Sequence, residues 1–153
     1  SDEGERRRLW QARHDFHWAV VANNPGKRAV STDTAVPLSK LAEAVEVAEN
    51  LLTNSGYPHC IVGHIADGNF HCSIVTDPEK PEELAQIREL AHQLTSKIIA
   101  MGGTCTGEHG IGAVKIPDLV EETGEEAVNV MRIIKKALDP NGILNPGKVF
   151  TLN

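Results

Sequence analysis

An α+β fold is predicted, with a ferredoxin-like antiparallel sheet, helices on one face of it and further helices towards the C-terminus. Three features of the sequence predict it. From Arg28 the segments run strand, helix, strand, strand, helix, strand, which is the βαββαβ order of that architecture. Two β-type runs flank Asp67-Gly68, a dipeptide typical of tight hairpins. The helical segments carry continuous apolar stripes, so each has one face to bury.

Taken in order, residues 5–22 form a helix with Leu9, Trp10, Arg13, Phe16, His17 and Val20 on one broad face. Arg13 is a guanidinium on an otherwise apolar stripe. It is either a snorkelling side chain or an anion clamp, since Arg grips a carboxylate through two parallel hydrogen bonds. Asn23-Asn24-Pro25-Gly26 breaks the helix, and residues 28–36 read as a strand ending at Pro37. Residues 38–53 follow with Leu38, Leu41, Val45, Ala48 and Leu52 at helical spacing, closed by Asn54-Ser55-Gly56. After the hairpin, 81–101 is the longest helix. Pro81 and Glu82-Glu83 suit its start, and Leu84, Ile87, Ala91, Leu94, Ile98 and Met101 form its stripe. A short strand at 104–106 leads into Gly107-Glu108-His109-Gly110-Ile111-Gly112, where glycines keep the backbone clear of side chains. Helices at 117–122 and 125–138 follow, the second with Val128, Met131, Ile134 and Leu138 inward. Residues 143–150 close the chain as an extended tail.

The hairpin carries the chemistry. With Asp67-Gly68 as a two-residue loop, Ala66 pairs with Asn69, and His64 lies directly opposite His71. Side chains alternate along a strand, so both imidazoles point to one face while Ile61, Gly63, Ile65, Phe70, Cys72 and Ile74 take the core face. Opposed Cβ atoms stand roughly 4.5–5.5 Å apart, close enough for two ligands of one metal ion. In this register the histidines sit on the open face, and Cys60 opposes Val75.

Composition narrows the function. A chain of 153 residues with 41% apolar residues supports one core. The net charge of −6, with no basic tract, argues against a nucleic-acid partner. Three cysteines without a CxxC pair give no disulfide framework and favour a reducing compartment. No apolar run reaches membrane-spanning length and no secretory signal pattern opens the sequence.

His64, His71 and Glu108 offer two imidazoles and a carboxylate, a three-ligand set that leaves positions open on a divalent ion. Zinc, manganese and iron(II) all accept such a set. His109 adjoins Glu108 and is a natural general base. With Arg13 as a carboxylate clamp, the set suits deprotonation of an α-hydroxyl on a small acid.

Three segments carry a resemblance. They are Gly63-His-x-x-Asp-Gly-Asn-Phe-His71, Thr104-Cys-Thr-Gly-Glu-His-Gly-Ile-Gly112 and Leu138-Asp-Pro-Asn-Gly-Ile-Leu-Asn-Pro-Gly-Lys-Val149. Together, and in this order, they resemble the C-terminal cap or substrate domain of FAD-linked 2-hydroxyacid dehydrogenases. That group includes D-lactate dehydrogenase (cytochrome), D-2-hydroxyglutarate dehydrogenase and the glycolate oxidase D subunit. The second segment and Asp33-Thr-Ala-Val-Pro37 are most similar to the D-lactate branch. Ser31 stands where the hydroxyglutarate branch has a Lys for the substrate's second carboxylate, which speaks against a dicarboxylate substrate.

The resemblance implies that His64, His71 and Glu108 ligate zinc or manganese, that His109 takes the hydroxyl proton and that Arg13 pairs with the substrate carboxylate. It implies that Asn69 and Asn145 approach the flavin or substrate, and that hydride passes to FAD. It also implies that residues 1–153 are part of a longer flavoenzyme whose FAD-binding domain lies elsewhere. The fragment alone would then be inactive and its uncovered apolar surface prone to homodimerisation. An electron acceptor is required, and the compartment would be mitochondrial in a eukaryote, cytoplasmic or membrane-peripheral in a bacterium. Two other readings fit the residues: a free-standing 2-His-1-carboxylate metal enzyme without flavin, and a non-catalytic ferredoxin-like binding module.

Overall fold

The structure, a computed structural model, describes residues 2–152 apart from the side chains of Arg13 and His17. Helix α1 (Glu3–Ala22) begins at Asp2, whose carboxylate accepts from the Gly4 N–H. Strands β1 (Arg28–Ser31) and β2 (Thr34–Ala35) follow, then a 3₁₀ turn (Leu38–Lys40) and α2 (Leu41–Ser55). Strands β3 (His59–His64) and β4 (Asn69–Thr76) make the hairpin; α3 (Pro81–Ala100), α4 (Ile116–Thr123) and α5 (Glu125–Leu138) complete the order. No helix among the described residues is long and apolar enough to cross a membrane.

The sheet is four-stranded and antiparallel. β4 is its centre, paired on one side with β3 and on the other with β1 and then β2. Across β2, the expected last strand is reduced to one antiparallel bridge between Ala35 and Thr104. The spatial order is that of the predicted ferredoxin-like unit. Phe70, Cys72 and Ile74 on one face of β4 pack with Ala44, Ala48 and Leu52 of α2 and with Ile87, Leu94 and Ile98 of α3. The stripes of α2 and α3 thus meet in one core.

Four expectations are corrected. The strand at 28–36 is interrupted at Thr32-Asp33, where Thr32 still pairs with Cys72 through its backbone N–H and its hydroxyl. The hairpin loop has four residues, with Ile65–Asp67 in a 3₁₀ turn and Gly68 left-handed at φ 69°. His64 therefore pairs with Asn69, Val62 with His71, and Cys60 with Ser73. Gly68 is required there both by its φ and because a Cβ would lie 2.1 Å from the Val36 carbonyl oxygen. Ile134 and Leu138 on α5 are exposed rather than inward, as is Leu38. The C-terminal segment is not extended. It folds back with positive φ at Asn145 and Val149, and the Val149 N–H donates to the Gly112 carbonyl.

Candidate metal centre and active site

The register shift is two residues, and the side-chain period along a strand is also two, so His64 and His71 still share a face as diagonal neighbours. Their rings are perpendicular with centroids 6.1 Å apart. The expected open face is closed over one of them: His71 is only 4% exposed, while His64 is half-buried. The 106–109 loop does the closing. It brings Glu108 Oε1 to 2.8 Å from His71 Nε2 and 3.8 Å from His64 Nδ1, and lays the His109 ring parallel on the His71 ring at 4.9 Å. His109 Nε2 stands 3.7 Å from the same carboxylate oxygen.

The His71 ring is held at Nδ1, which donates to the Thr32 carbonyl at 3.2 Å, since a carbonyl only accepts. Its Nε2 is buried and without a hydrogen-bond partner among the described residues, with Glu108 Oε1 2.8 Å away. An imidazole nitrogen and a carboxylate oxygen brought together in this way are donors of the kind a divalent cation takes. The His64, His71 and Glu108 ligand atoms all lie within 4.8 Å of one another and could hold a metal ion, as could those of Asp33, His71 and His109. Imidazole and carboxylate donors suit zinc or manganese, and the carbonyl behind Nδ1 is the outer contact that ligating histidines usually have.

Asp33 holds the loop. Its carboxylate, 1% exposed, accepts from the N–H groups of Gly107, Glu108 and His109, from the Thr106 hydroxyl and from the Asn69 amide. Burial alone would raise its pKa; the donors from His109, Asn69, Glu108 and Thr106 overcome this and hold the carboxyl well below the usual carboxylate range. Lys115 adds its ammonium, donating to the carbonyls of Asp33 and Cys105. Gly107 passes so close that a Cβ would stand 1.8 Å from Asn69 Nδ2. Asp33 and Lys115 were not among the residues singled out for function from the sequence. The available signal was that Asp33 interrupts a strand immediately ahead of Thr34-Ala35-Val36-Pro37.

The other predicted site residues divide. Asn69 is buried, with Nδ2 donating to Asp33 and to the Thr34 carbonyl and with Oδ1 unpartnered. Asn145 is exposed in the C-terminal turn, and among the described residues no hydrogen bond joins it to the histidines. Arg13 lies on α1 with its side chain outside the described residues. The cysteines are free. Burial pushes the Cys72 thiol up to about 11, and burial with Glu122 beside it pushes Cys105 up to about 12, so neither is a thiolate donor near neutrality.

Known proteins are similar to this chain over nearly its whole length. The family described as "FAD linked oxidases, C-terminal domain" matches residues 1–149. A Danio rerio protein named "Probable D-lactate dehydrogenase, mitochondrial" is 45% identical over 99% of this chain and 30% of its own length. The Arabidopsis thaliana "D-lactate dehydrogenase [cytochrome], mitochondrial" is 42% identical over 95% of this chain and 26% of its own. The Bacillus subtilis "Glycolate oxidase subunit GlcD" is 34% identical over 97% and 31%. The chain thus spans about a quarter to a third of the length of these relatives. A solved 4-ethylphenol oxidase from Gulosibacter chungangensis superposes with a TM-score of 0.64 at 22% identity, covering 98% of this chain and 31% of that one, and so shares the fold. On these grounds the chain belongs to the FAD linked oxidases, as a C-terminal domain of that family.

Proposed function

We propose that this chain is the substrate- and metal-binding part of an FAD-dependent D-2-hydroxyacid dehydrogenase acting on D-lactate. The observation that carries the reading is the buried Nε2 of His71, without a hydrogen-bond partner among the described residues, facing Glu108 beside His64 and His109. His64, His71 and Glu108 would hold zinc or manganese, which supplies Lewis acidity towards the substrate hydroxyl and carboxylate. FAD, held mainly by a part of the enzyme outside this chain, would supply the acceptor for the hydride of the α-carbon. His109, half-exposed beside the cluster, takes the hydroxyl proton, and the product is the 2-oxoacid. Arg13 pairs with the substrate carboxylate. Asn69 and Asn145 complete the contacts to flavin or substrate, Asn69 through the carbonyl oxygen it has free.

Similarity to D-lactate dehydrogenases supports the substrate class, and their printed mitochondrial location supports that compartment for a eukaryotic source. Leu9, Trp10, Ile133, Ile134, Leu138 and Ile143 are exposed, which supports docking onto a flavin-binding part, or self-association in its absence. The reading is tested by joining the chain to a flavin-binding part and adding D-lactate without oxygen. Bleaching of the flavin by D-lactate but not L-lactate, abolished in His109→Ala, is expected. A chain that by itself carries stoichiometric flavin, or a joined enzyme that D-lactate leaves oxidised, contradicts it.

A further inference from the structure

We propose that Asp33 is the positioning residue of this site: its buried carboxylate fixes the Glu108–His109 loop onto β4, and so sets where Glu108 and His109 stand relative to His71. Insofar as it concerns metal affinity, this rests on the reading of His64, His71 and Glu108 as ligands.

The loop at 106–109 has no strand or helix to hold it. Its three successive N–H groups at Gly107, Glu108 and His109 converge on Asp33, with Oδ2 at 2.9, 3.1 and 2.9 Å. Such convergent amides form a concavity that binds an anion. Here the anion is supplied by the chain itself, from a residue more than seventy positions earlier. The opposite oxygen, Oδ1, accepts from Asn69 Nδ2 at 2.9 Å and lies 3.6 Å from His71 Nδ1. One carboxylate therefore ties the strand that carries His71 to the loop that carries Glu108 and His109. The Thr32 carbonyl that orients the His71 ring belongs to the preceding residue, so the same interruption of the first strand orients the ring and anchors the loop. Asp33 has no direct line to a substrate: at 1% exposure it acts through its neighbours.

The test is Asp33→Asn, which keeps the size of the side chain but removes its charge and replaces one of its two acceptor oxygens with an NH₂. Amide exchange and titration with zinc and with manganese are measured on the 153-residue chain, with His71→Ala alongside. The amides of Gly107, Glu108 and His109 should exchange about tenfold faster or more. Those of Ala44, Ala48 and Leu52 in α2 should keep their protection, showing that the core is intact. Zinc affinity should fall about 10–100-fold, as when an outer contact of a metal site is lost.

Unchanged exchange at the three loop amides overturns the proposal. So does zinc affinity within about twofold of the unaltered chain where that binding depends on His71, and the ligand reading then stands. Binding of neither zinc nor manganese by the unaltered chain, or binding indifferent to His71→Ala, overturns the ligand reading instead; exchange at the loop amides then decides the anchoring alone.

Discussion

Gly107→Ala is the smallest change that asks whether the loop lies against Asn69 and Asp33. A Cβ at this position would stand 1.8 Å from Asn69 Nδ2, 2.8 Å from Asn69 Cγ and 3.0 Å from Asp33 Oδ1. The backbone φ of Gly107 is not positive, so the cost is steric rather than conformational. Asn69 is buried and held by hydrogen bonds to Asp33 Oδ1 and the Thr34 carbonyl, and it cannot retreat without breaking them. Overpacking costs about 1–3 kcal/mol, and a lost hydrogen bond to a charged group about 1.5–3 kcal/mol. We expect a destabilisation of about 3 kcal/mol in urea unfolding followed by circular dichroism, a large fraction of a total stability of about 5–15 kcal/mol. Gly110→Ala is the control. It has open space around a left-handed backbone at φ 76°, so only the conformational cost of about 1–2 kcal/mol applies. Gly107→Ala unfolding within about 0.5 kcal/mol of the unaltered chain would refute the packing described.

Two further outcomes are expected. A thiol reagent at neutral pH should label half-buried Cys60 first and reach Cys72 and Cys105 only on unfolding, as burial and their raised pKa values require; rapid labelling of Cys105 in the folded chain would contradict this. His92 on α3 pairs with Asp118 on α4, and that hydrogen bond raises the His92 pKa. A raised pKa means stability fully present below the unfolded value of about 6.5 and lost as pH rises through the folded value. The midpoint difference between the unaltered chain and His92→Ala should therefore shrink on going from acidic to alkaline pH, and a difference that grows would show the pair is not formed.

The parts legible in the sequence were those in which local pattern and tertiary packing agree. The stripes of α2 and α3 predicted the core because a sheet face covers them. The same reasoning failed at Ile134 and Leu138: an apolar stripe states which face seeks burial, not whether this chain supplies the cover. Asp67-Gly68 reads as a two-residue turn because a type I′ turn takes positive φ at both central positions; in the structure Gly68 has a positive φ and Asp67 does not, and Gly68 packs against Val36 in a four-residue loop. His64 and His71 still share a face because a two-residue slip preserves strand faces. Asp33 was not legible as an anchor. Its partners are mainly backbone N–H groups far along the chain, and no residue type at 107–109 announces that its amide is spoken for.

The central claim is that His64, His71 and Glu108 form a divalent-metal site. Calorimetric titration of zinc and of manganese into the unaltered chain and into His71→Ala tests it most directly. Saturable one-site binding of at least one of these ions, lost in His71→Ala, is the result predicted by the buried Nε2 that faces Glu108 without a hydrogen bond. Binding that His71→Ala leaves unchanged, or no binding of either ion by the unaltered chain, would contradict it.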